Sequence, residues 1–248
     1  MHAPTIKLIQ NRTNLGYAKA NNQALRQAQG EVILFLNSDT VILNRAIEKS
    51  LGFIKKREDV DILGCQLLNK DKTIQPSGGF FPDLRQVFCQ MFFLDDLEFF
   101  NRLIKPYQQT RQSFYQKTQE LDWVTGAFLL VRKKVLEKTS GFDERFFMYS
   151  EEVELCFRAK KDGFKVWFYP QAKIVHLKGK SSHDGFKKAV LGEYKGLIKF
   201  YQKHKPLWEV RILRVFLKMG SVLRILIFGI LMGDKKKKGV YEKAFSMV

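Results

Sequence analysis

The stretch that decides the fold runs from Trp123 to His176, WVTGAFLLVRKKVLEKTSGFDERFFMYSEEVELCFRAKKDGFKVWFYPQAKIVH. Its apolar run Ala127–Val131 predicts a buried strand. Ser150 is a typical N-cap residue and Gly163 is typical beyond a helix end, so a helix is predicted between them. The residues that follow predict two short strands, Val166–Tyr169 and Lys173–His176. The pattern puts carboxylates at the start of a helix and a histidine at the end of a strand.

Three glutamates, Glu151, Glu152 and Glu154, lie at the start of the predicted helix. They have an ordinary explanation, because an acidic side chain in a first turn stabilises the helix dipole by about 0.3–1 kcal/mol. A single histidine on a strand, such as His176, is likewise more often structural than a ligand. A functional interpretation therefore needs a second polar site elsewhere in the chain.

The residues before this stretch alternate between strand and helix patterns. The predicted strands are Thr5–Ile9, Glu31–Leu36 and Asp61–Gln66, and the predicted helices are Ala18–Gln29 and Ile42–Lys56. This alternation is typical of an α/β fold with a mostly parallel sheet. Ligands of such sheets collect at the carboxyl ends of the strands. Asp39 follows the buried strand Glu31–Leu36 and supplies the second polar site.

The segment Leu84–Ile104 is rich in aromatic residues and predicts a helix. Its phenylalanines fit either a core or a surface for a greasy substrate, and we favour the core. They are Phe92, Phe93, Phe99 and Phe100.

The charge of the chain is uneven. The 248 residues hold 43 Lys and Arg against 25 Asp and Glu, a formal net charge of +18, and residues 186–248 alone hold 15 against 4. We therefore predict two units, a domain over residues 1–185 and a basic helical tail over residues 186–248. The hydrophobic fraction of 45% is ample for a core. The three cysteines show no metal-binding or redox spacing, which indicates a reducing compartment.

The tail predicts an amphipathic helix over Leu207–Gly233. Its longest uncharged run, Ile225–Gly233, is too short to span a bilayer. A narrow polar stripe and the Lys235–Lys238 cluster indicate a helix lying at an anionic membrane surface; the stripe consists of Arg211, Arg214, Lys218 and Ser221. The alternatives are a helix docked on the domain and, from charge alone, a nucleic-acid-binding segment. The acidic cluster at Glu151–Glu154 argues against nucleic acid.

Four motifs carry a resemblance to a known family. In chain order they are NLGYA at 14–18 with Asn22, LNSDT at 36–40, WVTGA at 123–127, and the run from GFDE at 141–144 through FMYSEEVEL at 147–155 to His176. On these residues the chain resembles the inverting glycosyltransferases of family 2, especially the rhamnosyltransferase-like branch. The resemblance implies a GT-A fold, a Rossmann-like mixed sheet, across the domain that precedes the tail.

The resemblance implies a metal-binding role for Asp39, which stands in the place of the family's Asp-x-Asp motif. His176 matches a position that can add a further metal contact. A carboxylate suits Mg²⁺ or Mn²⁺, and an imidazole shifts the preference toward Mn²⁺.

The resemblance also implies that Glu152 is the general base, with Glu151 as the second catalytic carboxylate. Glu154 would orient the acceptor or the base. The other motif positions implied in substrate binding are Asn14, Gly16, Asn22, Asn37, Trp123, Gly126 and Ala127.

The expected activity is transfer of a sugar from a nucleotide-sugar donor to a lipid-linked or polysaccharide acceptor, with inversion, at the cytoplasmic face of the cell membrane. The alternative is an inactive remnant that only binds membrane or partners. The family usually begins with a strand, a helix and a second strand that hold the nucleotide. This chain starts at what resembles the third strand, so we expect an N-terminally truncated sheet.

Overall fold

The computed structural model describes residues 6–177 and 185–248. Its strands are β1 (Val32–Leu36), β2 (Thr40–Leu43), β3 (Ile62–Leu68), β4 (Ile74–Gln75), β5 (Gly78–Gly79), β6 (Gln119–Leu121), β7 (Trp123–Val124), β8 (Phe128–Arg132) and β9 (Val166–His176). Its helices are α1 (Tyr17–Leu25), α2 (Ala46–Lys56), α3 (Leu84–Met91), α4 (Glu98–Ile104), α5 (Lys133–Thr139), α6 (Glu151–Lys161), α7 (Gly185–His204), α8 (Leu207–Leu226) and α9 (Lys235–Met247).

The central sheet is mixed, with the strand order β1-β8-β3-β9-β2, while β4 pairs with β3 and β6 with β9. Only the β3–β9 pairing is parallel among the strands described. The mixed sheet is confirmed, but the expectation of mostly parallel strands is wrong. The reason is β8, which enters between β1 and β3 and runs antiparallel to both.

Strand β9 is continuous, although the sequence predicts two strands around Pro170. Tyr169 lies opposite Cys65, and the next paired residue, Lys173, lies opposite Gln66. The three residues between them form a bulge, which accommodates a proline because its missing N–H is not needed for the ladder there. The first half of β9 pairs with β6 and the second half with β2.

Three other element predictions differ from the structure. Residues 6–10 form no strand, and Thr5 lies outside the described residues. The predicted helix from Ile42 begins only at Ala46, because Ile42 belongs to β2. The predicted helix Leu84–Ile104 is broken at Phe93, whose φ of 59° is left-handed.

The prediction that the phenylalanines of this segment are core residues is wrong for two of them. Phe99 is 70% exposed and Phe100 is 36% exposed.

Apolar side chains pack on both faces of the sheet. Strand residues of alternating parity point to opposite faces, so Phe128 and Leu130 face α2, whereas Leu129 and Val131 face the other side. The core on that second side also contains residues of the three C-terminal helices: Leu197, Phe200, Leu213, Leu217 and Tyr241. The C-terminal helices therefore share a core with the sheet. The division at residue 185 stays a prediction.

Helix α8 is docked on the domain, as one of the sequence interpretations held. Within the polar stripe Ser221 is fully buried, and its hydroxyl donates to the Tyr194 hydroxyl. Arg224 is also buried and donates to the last carbonyls of α3, those of Gln90 and Met91, at 2.9 and 2.6 Å. None of the described helices combines the length and apolarity that a bilayer crossing requires.

We predict that Leu217→Ala lowers the free energy of unfolding by about 2–5 kcal/mol, because it removes a fully buried side chain from the shared core. Urea unfolding followed by circular dichroism and by tryptophan fluorescence measures this loss. Val215→Ala on the same helix is the control, since Val215 is 53% exposed, and we expect a change within about 0.5 kcal/mol. A tail that folds separately would instead give two transitions, with the sheet's transition unmoved by Leu217→Ala.

Candidate active site

The turn between β1 and β2 brings Asp39 to His176. In the antiparallel ladder of β2 and β9, Thr40 lies opposite His176, and the Leu177 amide donates to the Asp39 carbonyl at 2.9 Å. The Asp39 Oδ1 and His176 Nε2 atoms are 3.3 Å apart, and both side chains keep a small exposed fraction, 17% and 14%. The two residues predicted to hold a metal therefore lie side by side with access to solvent.

Gln75 on β4 orients the imidazole. Its amide nitrogen donates to Asn69 Oδ1 and to the His176 carbonyl, at 2.8 and 3.2 Å, which leaves its Oε1 to face the ring. His176 Nδ1 lies 2.7 Å from that oxygen and donates to it. When the ring is neutral, its lone pair is then on Nε2, the atom that lies 3.3 Å from Asp39 Oδ1. Asn37 Nδ2 also approaches Nε2, at 3.4 Å.

This arrangement fits a divalent cation. A carboxylate oxygen and an imidazole lone pair that face each other at 3.3 Å repel unless a proton or a cation lies between them. The hydrogen bond from the remote ring nitrogen is the usual support for a metal-bound histidine. Within residues 6–177 and 185–248, no three His, Cys, Asp or Glu side chains cluster as a metal site. A cation here would therefore need outside ligands, such as water or phosphate oxygens.

The two carboxylates at the start of α6 form the second part of the site. Helix α6 packs on β7, and Glu152 Oε1 lies 3.5 Å from the Gly126 amide that follows β7. Glu151 is buried, whereas Glu152 is partly exposed. The Oε2 atom of each carboxylate is buried without a hydrogen-bond partner. Such atoms are costly to bury, and they are the ones that a substrate hydroxyl can satisfy.

The surroundings of this pair disfavour negative charge. Burial, and secondly the neighbouring Glu152, raise the pKa of Glu151 well above its usual range. Burial also raises the pKa of Glu152, although hydrogen bonds from backbone amides oppose the rise. Two interacting carboxylates that share one site hold a proton to higher pH than either would alone.

The ends of β1 and β8 join the two parts. The Asn37 amide donates to the Ala127 carbonyl at 3.1 Å, so the turn that carries Asp39 is bonded next to Gly126. The Tyr17 hydroxyl donates to the Gly126 carbonyl at 2.8 Å. Asp39, His176 and Glu152 are thus connected through one short stretch of backbone.

Gly16 and Asn14 shape the turn before α1 and do not reach the acidic pair. Asn14 Oδ1 accepts the Gly16 amide at 2.9 Å. Gly16 has a φ of 81°, and a Cβ there would lie 2.7 Å from Phe147 Cδ2. The turn therefore requires glycine, and the Tyr17 amide beside it binds the Phe147 carbonyl at 2.7 Å.

Three other predicted site residues have buried structural partners. Asn22 binds the backbone of Phe142 through both amide atoms, at 2.8 and 3.0 Å. The Trp123 indole donates to the Tyr107 carbonyl at 2.9 Å. Glu154 is fully buried among cations rather than beside Gly126, and its partners are Arg158, Lys203 and His204. Substrate-binding roles for these residues stay predictions from the family resemblance.

Two residues of the site were missed by the sequence analysis. Tyr17 stands inside the quoted NLGYA motif, and a phenol beside a turn glycine was the available signal. Gln75 had no signal, because only the pairing of β4 with β3 carries it to His176.

The sequence comparisons identify the family of the chain. Residues 2–190 match the family model described as glycosyltransferase like family 2, so the chain belongs to that family. It is 31% identical over 160 residues to the O-antigen biosynthesis protein RfbC of Myxococcus xanthus, which covers 64% of this chain and 12% of that protein. It is 27% identical over 191 residues to the N-acetylglucosaminyl-diphospho-decaprenol L-rhamnosyltransferase of Mycobacterium tuberculosis, with 72% and 61% covered. The chain spans less than two thirds of either relative.

A solved structure shows the same fold. The mannosyltransferase PcManGT from Pyrobaculum calidifontis, solved with GDP-Man and Mn²⁺, matches with a TM-score of 0.53 at 14% identity. The match covers 97% of this chain and 68% of that one. The predicted GT-A-like α/β fold, with its helical C-terminal region, is confirmed.

We predict that Glu151→Gln is more stable than the wild type at pH 8. A carboxyl whose folded pKa is raised costs stability as pH rises above its unfolded pKa of about 4.3, because the folded state resists ionisation. The amide removes this cost, so the stability difference should shrink as pH falls toward 4. Urea unfolding between pH 4 and 8 measures it, and a difference that does not depend on pH would contradict the raised pKa.

Glu154→Gln is the matched control with the opposite sign. Hydrogen bonds from His204 and Arg158, together with the charge of Arg158, overcome burial and lower the pKa of Glu154 to about 2. A lowered folded pKa adds stability above about pH 4.3 that is lost as pH falls through the folded value. Glu154→Gln should therefore cost about 3 kcal/mol at pH 8, and the cost should diminish between about pH 4 and 2.

Proposed function

We propose that this chain transfers a sugar from a nucleotide-sugar donor to an acceptor hydroxyl with inversion of the anomeric centre. The observation that carries the proposal is the Glu151–Glu152 pair, two carboxylates with unpartnered oxygens and raised pKa values beside Gly126. Sugar hydroxyls are poor nucleophiles, and a positioned carboxylate is the usual group that takes their proton.

Glu152 is the general base of this proposal. It is the partly exposed member of the pair, its Oε2 has no hydrogen-bond partner, and the Gly126 amide lies 3.5 Å from its Oε1. A base whose pKa is raised toward the working pH is more effective, because it combines an ionised form with a strong affinity for the proton. Burial keeps the pKa of Glu152 high, and buried Glu151 is its neighbour at the start of α6. Direct displacement by the hydroxyl inverts the anomeric carbon.

Asp39 and His176 would hold the divalent cation, Mg²⁺ or Mn²⁺, with the donor diphosphate as a further ligand. When bound, such a cation neutralises the charge that develops on the leaving diphosphate. Gln75 keeps the His176 lone pair on Nε2, and Asn37 stands beside it. The imidazole favours Mn²⁺ within this donor set.

The acceptor is proposed to be lipid-linked or a polysaccharide, and the sugar to be rhamnose. The names of the two relatives, an O-antigen biosynthesis protein and a rhamnosyltransferase of a lipid diphosphate, support both.

We also propose that the protein works at the cytoplasmic face of the cell membrane as a peripheral protein. One face of α8 exposes large apolar side chains at helical spacing: Trp208, Val215, Met219, Val222 and Leu226. Arg211 and Lys218 of the same helix are also exposed. Apolar side chains rimmed by cations fit a surface of anionic lipid.

We predict that Glu152→Gln lowers the transfer rate by about 10²–10⁴-fold while donor binding stays within about twofold, because only the proton acceptor is lost. Mass spectrometry of products from a panel of nucleotide sugars with a lipid-diphosphate acceptor measures transfer. Calorimetry with Mn²⁺ and the nucleoside diphosphate measures binding. Glu48→Gln, an exposed carboxylate on α2, is the control for charge.

Gln75→Leu tests the metal site in the same assays. It should weaken Mn²⁺ binding about tenfold or more, because the imidazole loses its support. Wild-type protein that binds donor but never turns over would favour the inactive remnant. Full activity of Glu152→Gln would remove Glu152 from the reaction.

We predict that the triple variant Trp208→Ser, Val215→Ser and Met219→Ser loses about tenfold or more of its affinity for vesicles, because it deletes exposed apolar contacts of α8. Flotation with phosphatidylcholine vesicles that contain about 30% phosphatidylglycerol, an anionic lipid, measures this affinity. Val41→Ser on β2, an exposed apolar residue away from α8, is the control. Unchanged flotation of the triple variant would contradict the membrane surface.

A further inference from the structure

Helix α7 lies unusually close to the backbone that precedes the catalytic pair. A Cβ added at Gly192 would lie 2.7 Å from Tyr149 Cε2, and one added at Gly196 would lie 2.7 Å from Ser150 Cβ and 2.9 Å from the Tyr149 carbonyl oxygen. Residues four apart share one face of a helix, so the two glycines form a flat strip. Tyr149 and Ser150, the two residues before Glu151, pack against that strip.

Tyr149 and Ser150 are in a strained backbone conformation. Tyr149 has a φ of 72° and Ser150 a φ of 67°, both in the left-handed region that non-glycine residues rarely adopt. Each such residue costs of order 1–3 kcal/mol and persists only where the surroundings hold it. Here the conformations of Tyr149 and Ser150 set the direction in which α6 begins, and thereby where Glu151 and Glu152 point.

The hydroxyl of Ser150 does not cap α6, although the sequence predicted an N-cap at this residue. The residue is at the N-cap position, but its side chain makes no bond to the first helical amides. It lies beside the buried Tyr107 phenol instead. Ser150 is therefore held between Tyr107 and Gly196.

The C-terminal end of α7 binds the first turn of α6. Lys203 Nζ lies 2.6 Å from Glu154 and 2.6 Å from Asp143, and His204 Nε2 lies 3.0 Å from Glu154. Glu154 is two residues from Glu152 and is fully buried. Helix α7 thus contacts the start of α6 at two places, through close backbone packing and through buried ion pairs.

We propose that α7 is the positioning element of the active site: its Gly192–Gly196 strip and its Lys203–His204 end hold the left-handed Tyr149–Ser150 turn and so orient Glu151 and Glu152 toward Gly126. The inference rests on the proposed function in taking Glu152 as the base. It goes beyond the family match, which ends at residue 190, before both glycines. These residues position the carboxylates and do not touch substrate.

The principal test is Gly196→Ala in the full chain. The added methyl meets Ser150, so the Tyr149–Ser150 turn must shift and the carboxylates with it. We expect kcat to fall at least tenfold, the KM for donor to stay within about twofold because Asp39 and His176 lie on other elements, and the pH-rate profile to move. Gly239→Ala on α9 is the matched control, since a Cβ there meets nothing within 4 Å, and it should leave kcat and the pH profile unchanged.

Rescue separates positioning from general damage. Glycine at position 150 removes the Ser150 side-chain atoms, which are the nearest ones to the added methyl, and adopts a φ of 67° without strain, so that the turn can give way at the remaining contact with the Tyr149 carbonyl oxygen. The double variant Gly196→Ala with Ser150→Gly should therefore regain most of the lost kcat, to within about threefold of Ser150→Gly alone. Should Gly196→Ala fail to fold, His204→Gln removes one Glu154 partner without adding bulk, and we expect kcat to fall about three- to tenfold with KM unchanged.

A second readout does not need activity. Carboxyl ¹³C NMR titration of Glu151 and Glu152 reports their environment directly, because the neighbouring phenols of Tyr17, Tyr107 and Tyr149 and the thiol of Cys156 all have raised pKa values and stay neutral below pH 8. We expect the titration midpoints to fall in Gly196→Ala, to return in the double variant and to stay unchanged in Gly239→Ala.

The outcomes distinguish this inference from the proposed function. If the wild-type protein transfers no sugar but the NMR titration midpoints shift as expected, the proposed function is rejected and the positioning role is kept. Unchanged kcat and midpoints in folded Gly196→Ala, or a loss that Ser150→Gly does not restore, would overturn the inference.

Discussion

Burial of two adjacent carboxylates, Glu151 and Glu152, is the constraint on which the rest of this structure depends. Each resists ionisation in its surroundings, so the pair costs stability at neutral pH. The amides of the first turn of α6 and of Gly126 recover part of that cost. Glu154, in the same turn, does the reverse, because its buried charge is matched by Arg158, Lys203 and His204. One helical turn therefore carries both a destabilising pair and the ion cluster that anchors it.

The metal side of the site obeys a different constraint, which is strand register. Asp39 lies beside His176 because Thr40 is opposite His176 in the β2–β9 ladder. The two sides meet where Asn37 binds the Ala127 backbone. The site is thus assembled from a helix start and a strand end, and each is fixed by backbone contacts rather than by the reactive side chains.

Much of the site could be predicted from the sequence, and the failures have physical reasons. The motifs pointed to Asp39 and His176, which lie side by side, and to Glu152, which lies beside Gly126. Gln75 could not be found, because its role arises from a two-residue strand with no pattern of its own. The burial of Glu154 could not be found either, because two of its three partners, Lys203 and His204, lie about 50 residues away on α7. Phe99 and Phe100 were expected in the core, since composition does not reveal which face of a helix meets solvent.

The bulge in β9 has a consequence for how length changes in this chain are tolerated. Residues 170–172 resemble a loop in which insertions or deletions would be harmless. They lie, however, between the two paired halves of one strand. Removing one residue there would turn every later side chain to the opposite face of the sheet, His176 included, whereas removing two would keep its side. Relatives that keep the histidine should therefore vary in length here only in steps of two.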